Sequence, residues 1–387
     1  MSASPFSVEL SSRPTEVPPN TAAADVVALD VARLRAKVDT AGDADVSRAL
    51  GRTRRSLDDF AALLSDAAAA RLEELAVAAH DTTVRRFGRT IHLFAPLYLS
   101  SECVSTCTYC GFSAGNRIAR RTLTVDEVVT EALALRDRGF RHVLLVAGEH
   151  ARIVSKDYLV DCVRAIAPHV PSISVEVQVW DEDTYRRLVD AGCDGVVVYQ
   201  ETYDRDVYAS VHLKGKKRNY DWRLAAPDRA AAAGMRRLGI AALLGLAPDW
   251  HSEAITTVAH AHALIRRWWR CELTVSLPRL RPAAGDFRAA DPIDDRAFVQ
   301  LLCATRLALP DVGIVLSTRE APAFRDALLP LGVTHASAGS HTEPGGYAEE
   351  TGATPQFEVA DTRSAASFAE VVRAAGYDAV WKDWQRS

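Results

Sequence analysis

The hydrophobic pattern of the chain changes near residue 90. Between about 26 and 85, apolar residues recur every three or four positions, as in DVVALDVARLRAKV, which is the period of an amphipathic helix. Beyond residue 90, short apolar runs alternate with segments of helical period. Several of these runs are apolar throughout, as in parallel strands that are buried on both faces. The runs predicted to be strands are 92–100, 142–148, 172–178, 195–201, 238–246, 272–278, 313–318 and 334–339.

Eight strand–helix units in succession favour an α/β protein with a (β/α)8 barrel of the TIM type and an N-terminal helical extension. An open, doubly wound sheet is the alternative that the pattern leaves open. In one helical segment Thr124 and Glu127 form a capping box, and Gly139 stands where that helix should end. The predicted organisation is a loose N-terminal arm at 1–24, the extension at 25–88, the barrel at 89–345, and a C-terminal segment packed on the barrel at 346–387.

Composition narrows the class of protein. Of 387 residues, 48% are hydrophobic, so a large core can be buried, and the formal charge of −4 offers no basic face for nucleic acid. No run approaches the roughly 20 apolar residues that span a membrane. The first 25 residues lack the charged start and apolar block of a signal peptide. These features predict a cytoplasmic protein that binds neither nucleic acid nor membrane.

Three of the seven cysteines lie within eight residues, as Cys103-Val-Ser-Thr-Cys107-Thr-Tyr-Cys110. They are too closely spaced for ordinary pairwise disulfides, and such a cluster usually indicates metal binding in a reducing compartment. The other cysteines lie singly in apolar stretches and are predicted to be buried thiols: Cys162, Cys193, Cys271 and Cys303.

The spacing C-x3-C-x2-C suits three irons of a 4Fe-4S cluster. The fourth iron is then free to bind S-adenosylmethionine, which favours a radical S-adenosylmethionine enzyme. A closed structural zinc site is one alternative, but it needs four protein ligands, and His92 is the nearest candidate for the fourth. A non-catalytic iron–sulfur or zinc scaffold is another. A scaffold would make no 5′-deoxyadenosine when supplied with S-adenosylmethionine.

Longer strings show a more specific resemblance. The string PLYLSSECVSTCTYCGFSAGNRIARRTL resembles the cluster loop of the 2-iminoacetate synthase family, the tyrosine lyases of bacterial thiazole (thiamine) biosynthesis. The resemblance runs in order from about residue 85 to the end of the chain. The other strings that carry it are LLVAGEH (144–150), VVVYQETYDRDVYASVHLKGKKRNYDWRLAAPDRA (196–230), SLPRLRP (276–282), LSTREAPAFRD (316–326) and VWKDW (380–384).

The resemblance implies a reaction. A 5′-deoxyadenosyl radical takes hydrogen from the amino group of L-tyrosine, and the Cα–Cβ bond then breaks to give 2-iminoacetate (dehydroglycine) and p-cresol. Methionine and 5′-deoxyadenosine are the other products. The resemblance also implies a thiazole synthase as protein partner and an external electron donor such as flavodoxin or ferredoxin.

Cofactor-binding residues carry over from the family by position, beginning with the three cluster cysteines. Gly148 and Glu149 match the motif that meets the amino group of S-adenosylmethionine, although a strand-ending glycine followed by a solvated glutamate would look alike. Tyr109, just before the third cysteine, would lie by the adenine. Glu201 would reach the ribose hydroxyls or form a structural salt bridge. Arg279 would bind the cofactor carboxylate or fix the barrel rim.

Substrate-binding residues follow in the same way. Arg319, in LSTRE, would bind the tyrosine carboxylate, because a guanidinium binds a carboxylate with two hydrogen bonds. Ser337 and Tyr98 would lie close by. The basic run HLKGKK (212–217) is predicted to be a solvated loop, with a lid or a partner surface as the alternative.

Two related lyases share parts of the pattern. A tryptophan lyase of antibiotic biosynthesis has similar carboxylate-binding residues, but CTYCGFS fits the tyrosine enzymes better, and this lyase stays as the alternative. The tyrosine lyase that serves the iron–iron hydrogenase carries an extra C-terminal domain with a second set of cysteines. This sequence has no cysteine after Cys303, which argues against that enzyme.

Overall fold

The computed structural model describes residues 17–289 and 292–381. Most of the predicted N-terminal arm and the last three residues of VWKDW lie outside these ranges. The first helix begins before the predicted boundary at residue 25, because the Asp228 carboxylate accepts hydrogen bonds from the Ala22 and Ala23 amides at 3.0 and 3.2 Å. Six helices form the extension: α1 (Ala22–Val27), α2 (Val31–Thr40), α3 (Asp43–Gly51), α4 (Leu57–Leu63), α5 (Asp66–Ala70) and α6 (Leu72–Phe87).

The strands form one parallel sheet that closes on itself, because the first strand pairs with both the second and the eighth. The predicted barrel is therefore confirmed, and the open sheet is wrong. A short ninth strand pairs with the start of the first. The strands are β1 (Thr90–Ser100), β2 (His142–Ala147), β3 (Ser172–Glu176), β4 (Gly195–Glu201), β5 (Arg237–Ala242), β6 (Glu272–Ser276), β7 (Gly313–Leu316), β8 (His335–Ser337) and β9 (Asp378–Val380).

Helices cover the outside of the barrel, and the N-terminal extension packs on the helices Trp250–Arg267 and Asp295–Ala308. The Thr124 capping box begins the helix Val125–Asp137 as predicted, and Gly139 follows that helix with φ of 103°. No helix in the described ranges is long and apolar enough to cross a membrane. The barrel helices are α7 (Val125–Asp137), α8 (Lys156–Ile166), α9 (Glu182–Ala191), α10 (Arg205–Val211), α11 (Tyr220–Leu224), α12 (Ala226–Ala232), α13 (Trp250–Arg267), α14 (Asp295–Ala308), α15 (Pro322–Leu328) and α16 (Ala365–Ala374), with 3₁₀ turns at Lys216–Arg218 and Leu329–Leu331.

Alternate strand residues point into the barrel, whose lumen retains a cavity of about 60 Å³. Phe94, Leu144, Ser174, Tyr199 and Ser276 are among the residues that line it. The lining is thus mixed, with apolar side chains on β1 and β2, hydroxyl groups on β3, β4 and β6, and the His142 and His335 rings near the start of β2 and β8. Its open end is the one that holds the carboxyl ends of the strands, where barrel enzymes place their sites.

A buried ion pair supports the rim at β8. The Arg325 and Asp361 side chains are 1% and 0% exposed and form a salt bridge, and Arg325 also donates to the Ser337 carbonyl at 2.6 Å.

We expect Asp361→Ala to lower the free energy of unfolding by about 3–5 kcal/mol, because it leaves a buried guanidinium without its carboxylate. Urea unfolding would measure this. Asp311→Ala, which breaks the exposed pair with Arg86, is the control and should cost below about 1 kcal/mol. Equal losses in the two variants would contradict the assignment.

Candidate active site

The cysteine loop follows β1 and is held by backbone hydrogen bonds on three sides. The Val104 amide donates to the Glu149 carbonyl at 2.9 Å, just past β2. The Thr106 and Thr108 amides donate to the 211–214 segment, and Cys107 forms an antiparallel bridge with His212. On the third side, the Gly111 amide donates to a carbonyl of the C-terminal segment at 3.2 Å. The loop is therefore fixed by elements that are far from it in sequence.

The HLKGKK run is one of these elements. Its middle residues, 213–216, are exposed as predicted, but the prediction of a solvated loop is wrong for both ends, His212 and Lys217. Gly215 has φ of 93°, and a Cβ there would stand 2.3 Å from the Ser105 hydroxyl. Only glycine lets this segment lie against the cysteine loop.

The three thiols act on one another electrostatically. Burial, followed by the neighbouring Cys110 and Glu149, raises the pKa of Cys103 to about 11. Burial also raises the pKa of Cys107, while Lys217 opposes that shift. No group of three His, Cys, Asp or Glu side chains in 17–289 and 292–381 is placed to hold one metal ion. The thiolates of a cubane each bind a different iron, so they need not meet at one point.

The loop offers polar groups beside its three thiols. Thr106 and Thr108 carry buried hydroxyl oxygens without a hydrogen-bond partner within the described chain, which leaves polar atoms beside the thiols. Gly148 lies directly against the loop, since a Cβ there would be 2.4 Å from the Glu102 carbonyl and 3.2 Å from Cys103 Cβ. The Gly-Glu motif is therefore beside the first cysteine, and these residues fit the 4Fe-4S cluster and S-adenosylmethionine.

Tyr109 is fixed by a neutral histidine. Burial, followed by the charge of Lys217, lowers the pKa of His212 to about 3. The Nδ1 atom of His212 lies 2.8 Å from the Tyr208 carbonyl, so it carries the proton and donates. Nε2 must then accept, and the Tyr109 hydroxyl donates to it at 2.9 Å. The ring of Tyr109 is thereby held beside the second and third cysteines.

Two carboxylates and two cations form a buried network above the lumen. Arg223 contacts Glu149 at 3.2 Å and Glu201 at 3.8 Å, and Lys217 donates to Glu201 at 2.7 Å. Burial opposes the charge on Lys217, but the Glu201 carboxylate raises its pKa overall. Glu201 has φ of 73°, which is strained for a residue other than glycine and typical of functional sites. The salt bridge considered for Glu201 is present.

The residues predicted to bind substrate gather at the rim between β7 and β1. The Arg319 guanidinium lies 3.6 Å from the centre of the Phe357 ring, and within the described ranges no carboxylate pairs with it. Ser337 accepts a hydrogen bond from the Thr318 amide at 3.2 Å, which places it beside the Arg319 loop. The Tyr98 hydroxyl donates at 2.8 Å to Gln356.

Arg279 differs from Arg319. Its Nε lies 3.0 Å from Glu320, and Nη1 lies 2.7 Å from Asp295 and 3.1 Å from the Ile293 carbonyl. Its donors are thus occupied within the chain. These contacts favour the second of the two roles considered for Arg279, which is to fix the barrel rim.

Four residues at the site had no predicted role: Glu176, Lys217, Arg223 and Gln356. Gln356 joins the substrate rim to the cluster loop, because its amide nitrogen lies 3.6 Å from Cys110 Sγ while its oxygen accepts from Tyr98. Nothing in the sequence around Gln356 marks it. Glu176 did carry a signal, since it is a charged residue inside an apolar strand run.

The fold and motifs agree with known proteins. Residues 97–256 match the radical SAM superfamily model, and residues 276–378 match the biotin and thiamin synthesis associated domain. The chain is 43% identical to the 2-iminoacetate synthase of Escherichia coli over 92% of its length and 94% of that protein. It is 44% identical to the one of Salmonella typhimurium, again over 92% of this chain and 94% of the relative.

Solved structures give the same architecture. The FeFe-hydrogenase maturase HydG from Carboxydothermus hydrogenoformans is 34% identical, with a TM-score of 0.85 over 92% of this chain and 84% of that one. Methylornithine synthase (PylB) shares the fold at 21% identity and a TM-score of 0.72, over 87% of this chain and 97% of that one. The identity to the 2-iminoacetate synthases is higher and covers nearly the whole of both proteins. The chain therefore belongs to the radical SAM superfamily and, within it, to the 2-iminoacetate synthases.

Proposed function

We propose that this chain carries out the reaction of its family with the residues gathered at the open end of the barrel. It is a radical SAM lyase that cleaves the Cα–Cβ bond of L-tyrosine to 2-iminoacetate and p-cresol. Cys103, Cys107 and Cys110 bind the 4Fe-4S cluster. Once bound, the reduced cluster and S-adenosylmethionine supply a 5′-deoxyadenosyl radical, with methionine as the other product.

The observation that carries this proposal is the Arg319 guanidinium at the rim above the lumen, which has no carboxylate partner among the described residues. An arginine without a carboxylate partner is suited to bind the carboxylate of an amino acid. Ser337 lies beside the loop that bears it. Tyr98 and Gln356 link this rim to Cys110, so a bound amino acid would lie next to the cluster loop.

The cofactor would occupy the other side of the loop. Gly148 and Glu149 are proposed to receive the amino group of S-adenosylmethionine, and Tyr109 its adenine. To accept hydrogen bonds from the ribose hydroxyls, the Glu201 carboxylate would have to weaken its hydrogen bond with Lys217. Since Arg223 contacts both Glu149 and Glu201, it would hold the two carboxylates in position.

The reaction also requires partners. A thiazole synthase would take up 2-iminoacetate, and a flavodoxin or ferredoxin would supply the electron. The exposed residues 213–216 lie directly outside the cysteine loop and are a suitable place for either protein to approach. The cytoplasm, where such reductants and thiolates persist, is the proposed location.

Anaerobic turnover of the reconstituted, reduced enzyme tests the substrate. The enzyme receives S-adenosylmethionine together with tyrosine, tryptophan or neither, and products are identified by mass spectrometry. We expect p-cresol with tyrosine only, in step with 5′-deoxyadenosine, because the chain belongs to the 2-iminoacetate synthases. Product from tryptophan alone would support the tryptophan lyase instead. Absence of 5′-deoxyadenosine under every condition would rule out both lyases.

A further inference from the structure

Glu176 is a carboxylate in the barrel lumen that the proposed roles do not use. It is the last residue of β3, two positions after Ser174, which lines the lumen, so both side chains point inward. In the parallel register Tyr98 lies beside Val146 and Val146 beside Glu176, so Tyr98 and Glu176 belong to the same layer of inward side chains. The residue as a whole is half-buried.

Glu176 and Arg319 face the same space. The charges of both residues act on Tyr98 and on Tyr199, in opposite directions, and they also act on each other. Tyr98 is on β1, Tyr199 on β4, and Arg319 follows β7, so these groups surround the lumen from several sides. The lumen between them is where the reacting part of a substrate would lie.

The charges around the site balance except at these two residues. Glu149 and Glu201 are paired with Arg223 and Lys217. In the part of the chain that the structure describes, Glu176 forms no ion pair or hydrogen bond, and Arg319 has no carboxylate partner. One anion and one cation thus remain at this end of the barrel, where the charges of both act on Tyr98 and Tyr199. The α-ammonium and α-carboxylate of an amino acid have the complementary charges and are separated by a single carbon atom.

We propose that Glu176 binds the α-ammonium group of tyrosine and accepts one of its protons, while Arg319 binds the carboxylate of the same molecule. This inference rests on tyrosine being the substrate and on the proposed role of Arg319. It places the amino group, rather than the phenol, at Glu176, because the phenol lies much farther from the carboxylate than the amino group does.

The proton transfer balances without any other reactant. One N–H bond of the ammonium breaks and one O–H bond forms on the Glu176 carboxylate, leaving a neutral amine and a carboxylic acid. The hydrogen atom removed later comes from the neutral amine. Burial, followed by the charge of Glu201, raises the pKa of Glu176 to about 7, which makes it a better proton acceptor than an ordinary carboxylate. The titratable or charged groups that act on it are Glu201 and Tyr199 from β4, Tyr98 from β1, Arg319 after β7, Lys217 from the 3₁₀ turn and Arg223 from α11.

Measurements of ligand affinity distinguish whether Glu176 contacts the ammonium group or the phenol of tyrosine. The unreduced holoenzyme with S-adenosylmethionine is titrated calorimetrically with tyrosine and with 3-(4-hydroxyphenyl)propanoate, which lacks only the amino group. We expect Glu176→Gln to weaken tyrosine binding about 10- to 100-fold, as for a lost charge-assisted hydrogen bond, and to leave the propanoate nearly unchanged. Arg319→Ala, the matched variant across the lumen, should weaken both ligands. Gln is isosteric with Glu and removes a buried charge, so folding should be retained.

The pH profile of turnover gives a second readout. A base must be ionised, so kcat/KM of the wild type should rise with pH through about 7, the pKa of Glu176. The rise should vanish in Glu176→Gln and return in part in Glu176→Asp. Glu182→Gln, at the half-buried start of α9 on the outside of the barrel, is the control and should keep the wild-type profile. Equal weakening of both ligands would place the phenol at Glu176 and overturn the proposal, as would an unchanged affinity and profile. Wild-type enzyme that fails to bind tyrosine would overturn the proposed function as well.

Discussion

Cys107→Ala is expected to abolish both the broad iron–sulfur absorbance of the reconstituted protein and its formation of 5′-deoxyadenosine. Cys107 is 4% exposed and lies between the other two cysteines, in a loop that backbone hydrogen bonds fix on three sides. Because the loop is fixed, no other thiol can move in to replace it. A cluster held by two protein thiolates would be lost or would lose its defined open iron. Iron and sulfide analysis, absorbance and product quantification measure the effect.

Cys271→Ala is the matched control. Its thiol is half-buried just before β6, at the end of the barrel opposite the cluster loop, and donates to the Met235 carbonyl at 3.2 Å. That variant should assemble the cluster and turn over as the wild type does. Folding of both variants would be compared by circular dichroism before reconstitution. If Cys107→Ala kept an intact cluster and cleaved S-adenosylmethionine, the assignment of the three ligands would be wrong.

Arg319→Ala is expected to lower kcat/KM for tyrosine about 100-fold or more and to leave cluster assembly intact. The guanidinium is the one charged group at the rim that is free for a carboxylate within the described residues, and charge-assisted pairs are the strong ones. Cleavage of S-adenosylmethionine in the absence of tyrosine should continue, since the cofactor residues are on the other side of the loop. Steady-state kinetics, with p-cresol and 5′-deoxyadenosine both quantified, would measure the loss of tyrosine turnover separately from the cleavage of S-adenosylmethionine.

Two further arginine variants make that test specific. Arg319→Lys keeps the charge but loses the two-pronged geometry, so it should recover only part of the activity. Arg279→Ala removes contacts to Glu320 and Asp295, so it should lower thermal stability rather than raise the KM for tyrosine alone. Unaltered tyrosine kinetics in Arg319→Ala would contradict the carboxylate role. A selective tyrosine defect in Arg279→Ala would contradict the role assigned to that residue.

Charge pairing at the site was the part hardest to predict. Lys217 belongs to a run of basic residues that usually lies in solvent, yet it is buried on Glu201. Arg223 and Glu149 are 74 positions apart in sequence, and Gln356 and Cys110 are 246 apart. No local pattern encodes such contacts, because they depend on how the barrel brings distant loops to one end. The resemblance to a family named Glu201, Glu149 and Cys110 but not the residues with which they pair.

The sequence by itself determined the fold class, the cluster loop and the family. Apolar runs at strand length, helical periods between them and the Thr124 capping box are local properties, and the spacing of Cys103, Cys107 and Cys110 confines three thiols to one loop. Only the tertiary structure decided which charges pair, which face inward and which remain free. Burial makes pairing necessary, and the closed barrel selects the partners. Within the described residues it leaves Glu176 and Arg319 without an ion-pair partner.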